Sequence, residues 1–367
     1  MDGIGADDDA HDSGYLKSHL DTLWGRGFAR GRVTPILGAG ASLFGRPPTG
    51  SRWARAGSFD ADGLAWDGAP SSQELAHYLM DCFRIDPDSI RSPDLLNVAQ
   101  WVATMAPGQD ELYSELHDVF DRDFPSTPLH EFLAELPSRL RPAVATGRTG
   151  PDETMPGMLI ATTNYDDLLE RAFRARGEEF DLVVYMAAGP HSGQFCHYHP
   201  DGAMTPIEDA QNYDDANPDV RSVILKLHGM VDRQADHMAE EPGRAVGRTD
   251  SQDSFVITED DYIQYLAQTN LQTLLPAHIL SRLKSSHLLF LGYSLGDWNL
   301  RSIMYQLRKE ENKPTTWWSI QRGSSEVERR CWQNSARRVE IFEMDLEEYL
   351  IKVRDSLDSW LAEDAPA

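Results

Sequence analysis

Seven short apolar runs are spaced along the chain: VTPIL (33–37), GMLIATT (157–163), FDLVVYM (180–186), SVILKL (222–227), HLLFLGYS (287–294), TTWWSI (315–320) and RVEIFEM (338–344). Each has strand length and no strict apolar–polar alternation, the pattern of strands buried on both faces. Such strands need cover above and below, and the helix-period stretches between them can supply it. The chain therefore reads as α/β, a doubly wound and mostly parallel sheet. At 367 residues it is long enough for one such domain with insertions, or for two domains.

The remaining stretches organise around that sheet. Residues 1–14, MDGIGADDDAHDSG, read as an acidic disordered tail, and Tyr15, Leu16, Leu20, Leu23 and Trp24 then recur at helical spacing. That leading helix is expected to cover the sheet. Residues 71–136 carry only helical patterns: Ser71-x-x-Glu74 as a capping box before Leu75, Leu79 and Phe83, then DLLNVAQWVATM, DELYSELHDVF and PLHEFLAEL. A helical insertion is the expectation there. Polar, Gly- and Pro-rich residues 187–220 and 231–253 read as loops, while Trp317, Trp318 and the helically spaced Leu346, Leu350, Val353 and Leu357 read as core.

Composition narrows the function. The three cysteines, Cys82, Cys196 and Cys331, form no C-x-x-C pair, which excludes a disulfide framework and a cysteine-rich zinc knuckle. A formal charge of −25 repels nucleic-acid phosphates and anionic lipid, so no direct nucleic-acid or membrane partner is expected. No apolar run approaches the ~18 residues of a membrane span, and the acidic start is unlike a signal peptide. A cytoplasmic protein is the expectation.

Four motifs fall where strands give way to turns, the place where open α/β sheets bind ligands. Gly38-Ala39-Gly40-x-Ser42 follows the first run; glycines there let a ligand approach the main chain, and the next helix would present free amides and a positive dipole end. Thr162-Thr163-Asn164-Tyr165-Asp166 ends the second run. Lys226, His228 and Gly229 end the fourth, and Gly292-Tyr293-Ser294 the fifth. Singly, each has a plainer reading: Asn164, Asp166, Ser294 and Asp297 as helix caps, His228 as a turn residue bonded to backbone. No third glycine stands at position 43 and no acidic residue closes a second strand about 20 residues on, so an ordinary NAD-linked dehydrogenase is excluded.

In this order, G-A-G-x-S, T-x-N-x-D, L-H-G and G-x-S, together with VITEDDY (256–262), the set resembles the sirtuin family and in particular its zinc-less bacterial branch. The resemblance runs from about residue 30 to 350 and implies one Rossmann-like NAD-binding domain over 15–367. It implies that Gly38, Ala39, Gly40 and Ser42 cradle the pyrophosphate, that Thr163 also contacts NAD, and that Gly292 and Ser294 lie near the adenine-side ribose. Asn164 and Asp166 would flank the nicotinamide ribose and carboxamide, with His228 as catalytic base. Deacylating relatives carry a ribbon with two C-x-x-C pairs after the histidine-glycine; residues 230–253 contain no cysteine, so no zinc ribbon is expected. The deacylase loop flanking nicotinamide is replaced by LFGRPPTGSRW, where Pro48 and Trp53 are candidates to line the pocket.

Relatives of this type imply an NAD+ hydrolase of bacterial antiphage defence that releases nicotinamide and ADP-ribose. They imply too a homo-oligomer, or a partner such as a HerA-type ATPase or an Argonaute-like sensor. Two rivals remain: a protein deacylase or ADP-ribosyltransferase using the same pocket, and a non-catalytic sensor of NAD or ADP-ribose. The cluster His191, Cys196, His197 and His199 could hold a metal, but without a second ligand pair it reads as loop polarity, and no metal is expected.

Overall fold

The computed structural model describes residues 5–46, 52–53, 65–90, 93–105, 109–147, 149, 154–233, 252–268, 271–293, 304, 307, 315–333 and 339–363. Their strands are β1 (Val33–Leu37), β2 (Arg52–Trp53), β3 (Ala65–Trp66), β4 (Leu159–Thr162), β5 (Phe180–Met186), β6 (Gln194–Tyr198), β7 (Met204–Pro206), β8 (Ser222–Lys226), β9 (Gly229–Met230), β10 (Ser254–Phe255), β11 (His287–Leu291), β12 (Trp317–Gln321) and β13 (Val339–Glu343). Nine of them form one sheet in the order β13-β12-β11-β1-β4-β8-β5-β6-β7, with β2-β3 and β10-β9 as separate pairs. From β13 to β5 every neighbour is parallel; β6 and β7 add antiparallel. All seven apolar runs contain a strand of the parallel part.

Helices lie on both faces, and side-chain alternation explains why they must. Leu37, Leu182, Val184, Leu289 and Leu291 enter one core with α1 (Gly5–Leu23), α6 (Pro128–Ala145), α7 (Leu168–Ala175) and α12 (Leu346–Ala362). Their chain neighbours Ile36, Val183, Tyr185, Leu288 and Phe290 enter a second, with α8 (Glu259–Gln268), α9 (Leu271–Leu274), α10 (Ala277–Ser285) and α11 (Glu326–Gln333). Successive side chains of a strand point to opposite faces, so a doubly apolar strand builds two cores at once. The sheet is thus Rossmann-like and doubly wound. A third core joins α3 (Ser72–Cys82), α4 (Leu95–Met105) and α5 (Gln109–Phe120) to Leu168, Val231, Phe255 and Ile257. The last helix, α2 (Ala39–Ser42), is a single turn.

Three expectations need correction. The loop expected over 187–220 contains β6 and β7, because His197 is buried on β6 by partners from elsewhere: Asp181 Oδ1 at 3.1 Å and the Tyr213 hydroxyl at 2.8 Å. The acidic tail expected over 1–14 is helical from Gly5; acidic residues at a helix start are favoured by the macrodipole and do not forbid a helix. The insertion expected over 71–136 ends sooner, since α6 packs Leu129, Phe132 and Leu133 into the sheet's first core. The capping box forms as expected: the Ser71 hydroxyl accepts from Glu74 N, and the Ser71 amide donates to Glu74 Oε2 at 3.0 Å.

The leading helix does cover the sheet. Leu23 and Trp24 are buried, Trp24 Nε1 donates to Ser356 Oγ at 2.9 Å, and His19 Nε2 meets the Tyr349 hydroxyl at 2.7 Å. Tyr15 alone of the predicted stripe stands exposed. Burial, with a smaller contribution from His287, pushes the His19 pKa down to about 3, and burial does the same at His228. Both rings stay neutral in the fold while the unfolded chain takes up protons below its ordinary pKa of about 6.5. Stability is therefore undiminished above pH ~6.5 and falls as the pH drops toward 3. Each ring should withdraw about 2 kcal/mol between pH 7 and pH 5, and His228→Gln should remove its share of that fall. Urea denaturation of both proteins at the two pH values checks this; an identical fall in wild type and variant contradicts it.

Candidate functional site

The chain leaves β1 for β4 on one side and later returns to β11 on the other, so the topological switch point lies between β1 and β11. Register aligns the strand ends there: Leu291 pairs with Leu37, Leu37 with Thr162, and Thr162 with Lys226. The four motifs consequently emerge side by side along one edge.

Their first contact is backbone on backbone. Gly38 N donates to Leu291 O and Gly40 N to Gly292 O, each at 3.0 Å. A Cβ on Gly38 would stand 2.7 Å from Gly292 O, and one on Gly40 2.9 Å from Gly292 Cα. Gly292 itself has φ +73°, and its Cβ would meet Ala41 N at 2.3 Å. The bare turn therefore makes room first for a second turn of the same chain. With Ala41 N also donating to Gly38 O at 2.9 Å, three amides expected to greet a ligand are already committed to protein carbonyls.

Behind the turns lies a closed set of polar contacts. Asn164 Nδ2 donates to Gly38 O at 3.0 Å and to Ser42 Oγ at 2.9 Å, and the Ser42 hydroxyl donates to Asp166 Oδ2 at 2.8 Å. Both Asn164 amide hydrogens are used, which leaves Oδ1 as the atom it can offer a ligand. Asp166 Oδ1 accepts from Leu168 N at 3.2 Å, so one oxygen meets the first amide of α7, although the N-cap position itself is held by Asp167. Lys226 points inward: its buried ammonium donates to Asp166 O and to Glu170 Oε1, the latter at 2.8 Å. A lysine inside the run SVILKL was the available signal for that buried role.

His228 follows β8 and is 4% exposed. Its Nδ1 lies 3.4 Å from the Tyr262 hydroxyl, and its Nε2 has no hydrogen-bond partner among the described residues. The ring is neutral for the reason given above, burial. Ala39, Ser42, Thr163, Asn164, Asp166, His228 and Gly292 line one cavity of about 280 Å³, which Leu75, Leu95, Phe120 and Tyr262 help to enclose. A second cavity of about 490 Å³ shares Gly292 and Tyr293 with it and extends past Gly40 to the loops after β12 and β13, including Arg322 and Asp345. Tyr293 spans the boundary, its hydroxyl 2.7 Å from Thr163 Oγ1. Sequence reasoning missed the roles of Tyr262 and Tyr293, although both sit inside motifs it singled out.

The other candidates fall elsewhere. Trp53 donates its amide to Glu74 Oε1 at 2.8 Å and packs edge-on against Tyr78, and it lines neither cavity. Pro48, Ser294 and Asp297 lie outside the described residues. Cys196 and His197 are adjacent on β6 and so face opposite sides of the sheet; Cys196 sits in the first core, while His197 bonds Asp181 and Tyr213. His199 Nε2 meets Thr205 Oγ1 at 3.1 Å, and no metal-holding group of three converges among the described residues. Within the same residues no helix is long and apolar enough to cross a membrane.

A doubly wound sheet with two adjoining cavities at its switch point defines an α/β protein of the kind that takes ligands at the carboxyl ends of its strands. Residues 158–340 match the family model of the SIR2-like domain, and the chain belongs to this sirtuin-like family, whose domains bind NAD. Comparison with curated proteins gave no match.

The glycine contact yields a direct test. Gly292→Ala forces a side chain into both a left-handed backbone and the Ala41 amide, and should lower stability by about 3 kcal/mol. Urea denaturation of the variant measures it, and a loss below about 0.5 kcal/mol, the range of an indifferent surface change, contradicts it.

Proposed function

We propose that this protein is an NAD+ hydrolase that releases nicotinamide and ADP-ribose. The observation that carries the reading is the pairing, on the lining of one cavity, of a buried histidine whose Nε2 has no partner among the described residues with an asparagine whose side-chain oxygen is left to accept. Bound NAD supplies a glycosidic bond whose cleavage develops positive charge on the ribose. Ala39 and Ser42 would hold the pyrophosphate side, and Gly292 with the second cavity the adenosine side. Asn164 Oδ1 accepts from a ribose hydroxyl or the attacking water, and His228 Nε2 takes the proton, a role worth about 10²–10⁴-fold in rate. Leu75, Leu95 and Phe120 give the same cavity an apolar wall. Asp166 fixes the Ser42 hydroxyl and helps to line the cavity, where it can accept from the carboxamide. The absence of cysteine between Met230 and Ser254 favours water over a protein-bound acyl group as the acceptor.

His228→Ala and Asn164→Ala should each reduce nicotinamide release by at least about 100-fold while circular dichroism stays that of the wild type. Chromatography of NAD after incubation, with and without the genomic neighbour's product, reads the result. NAD binding without nicotinamide release in either condition would turn the reading into that of a non-catalytic sensor, and acetyl-lysine peptide turnover into that of a deacylase.

An unrestrained NAD+ hydrolase would drain its host, so in an antiphage effector the restraint is intermolecular: a homo-oligomer, or a partner of the HerA-type ATPase or Argonaute-like kind. Helices α3–α5 are the contact surface we favour, because they present Trp101 and Met105, 42% and 70% exposed, to solvent. Light scattering should find an oligomer with low basal turnover that the partner raises. A monomer with rapid, partner-independent turnover overturns this part.

A further inference from the structure

The geometry points to Tyr262 as a positioning residue for His228: its hydroxyl oxygen accepts the Nδ1–H of the imidazole and so fixes the tautomer that leaves the Nε2 lone pair able to accept a proton. This deepens the proposed function and rests on the reading of His228 as the base.

Three observations support the assignment. The first is the contact itself, Tyr262 hydroxyl to His228 Nδ1 at 3.4 Å, with the two rings edge-to-face at 5.4 Å and 87°. The second is the state of the other nitrogen. Nε2 is buried without a partner among the described residues, so the tautomer is governed from the Nδ1 side. A neutral imidazole has one N–H; if Nδ1 carries it, Nε2 can accept a proton, and if Nε2 carries it, the ring cannot act as a base toward the cavity.

The third is the rigidity with which Tyr262 is presented. Val256 N donates to His228 O at 2.9 Å, which ties the segment leading into α8 directly to the histidine's own backbone. Asp261 Oδ2 then accepts from Thr258 N at 2.9 Å and Ile257 N at 3.2 Å, while Asp261 N donates to Thr258 Oγ1 at 3.0 Å, a reciprocal cap that fixes the first turn of α8. Gln100 on α4 completes the clamp, accepting from Asp260 N at 3.0 Å and donating to Asp260 Oδ2 at 2.8 Å. VITEDDY is thus read as a mount for one phenol. Tyr265, three residues on, packs its ring edge-to-face on the same imidazole at 5.7 Å with no hydrogen bond to either nitrogen, so it serves as an internal control. Among the described residues that line this cavity the one charged side chain is Asp166.

Tyr262→Phe keeps the ring and removes the acceptor. Nitrogen-15 spectra of histidine-labelled protein, with His228 assigned by the signals lost in His228→Gln, should show the Nδ1–H tautomer in the wild type and in Tyr265→Phe, and a shift toward Nε2–H in Tyr262→Phe. This readout needs no turnover, so it stands even where the hydrolase reading fails. In the turnover assay Tyr262→Phe should lower kcat roughly 10-fold, the worth of one hydrogen bond, with KM for NAD unchanged. The acid limb of its kcat profile should move to lower pH, because the imidazolium loses an acceptor. An Nε2–H tautomer in the wild type, or the same tautomer in wild type and Tyr262→Phe, overturns the proposal. So does an equal loss of kcat in Tyr262→Phe and Tyr265→Phe, since that would be a packing effect.

Discussion

The contact on which the site depends is the one between two turns without side chains. Gly38 and Gly40 after β1 and Gly292 after β11 approach until only hydrogen atoms fit between them, and their amides and carbonyls pair across the gap. That closeness brings the motifs of non-consecutive strands within reach of one cavity. It also consumes backbone donors that a phosphate would otherwise use, so that in the function proposed above recognition falls to side chains: the Asn164 acceptor, the His228 ring and the loops after β12 and β13.

Those side chains are held by a polar interior that would be expensive to leave incomplete. Asn164, Ser42 and Asp166 form a chain in which each donor meets an acceptor, and Lys226 anchors it from below through Asp166 O and Glu170. A buried ion pair of this sort contributes less to stability than its Coulomb attraction suggests, because both ions surrender hydration. Its effect here is geometric. Lys226 fixes the peptide that carries Asp166, Asp166 fixes the Ser42 hydroxyl, and Ser42 fixes the Asn164 amide, so that Oδ1 has one orientation left.

The sheet was legible from the sequence because doubly buried strands announce themselves as continuous apolar runs, and all seven runs fell on parallel strands. β6 was illegible because one of its residues, His197, is buried by Asp181 and Tyr213, partners that only the folded chain assembles. The helix over Gly5–Leu23 was cut short in the sequence reading because an acidic stretch was weighed as solvation and not as a helix start. At the site, Asn164, Asp166 and His228 were visible as polar residues at strand ends, and they do share a cavity. Tyr262 and Tyr293 were hidden in plain view: a tyrosine in a motif carries no sign of what its hydroxyl will meet across the fold. The committed amides of the glycine turn were equally invisible, since nothing near residue 38 foretells Gly292.

That last pairing has a consequence for how the protein comes into being. Gly38 and Gly292 are separated by most of the chain, and a contact between such distant partners closes only after a large loop entropy has been overcome. While the ribosome is still adding the residues before His287, the growing chain has β1 and β4 but no β11, and the crevice lacks a wall. The pocket is thus a late event of synthesis, and a truncated or half-folded copy cannot carry it. Whatever this site does to its ligand, it begins only once β11 is in place.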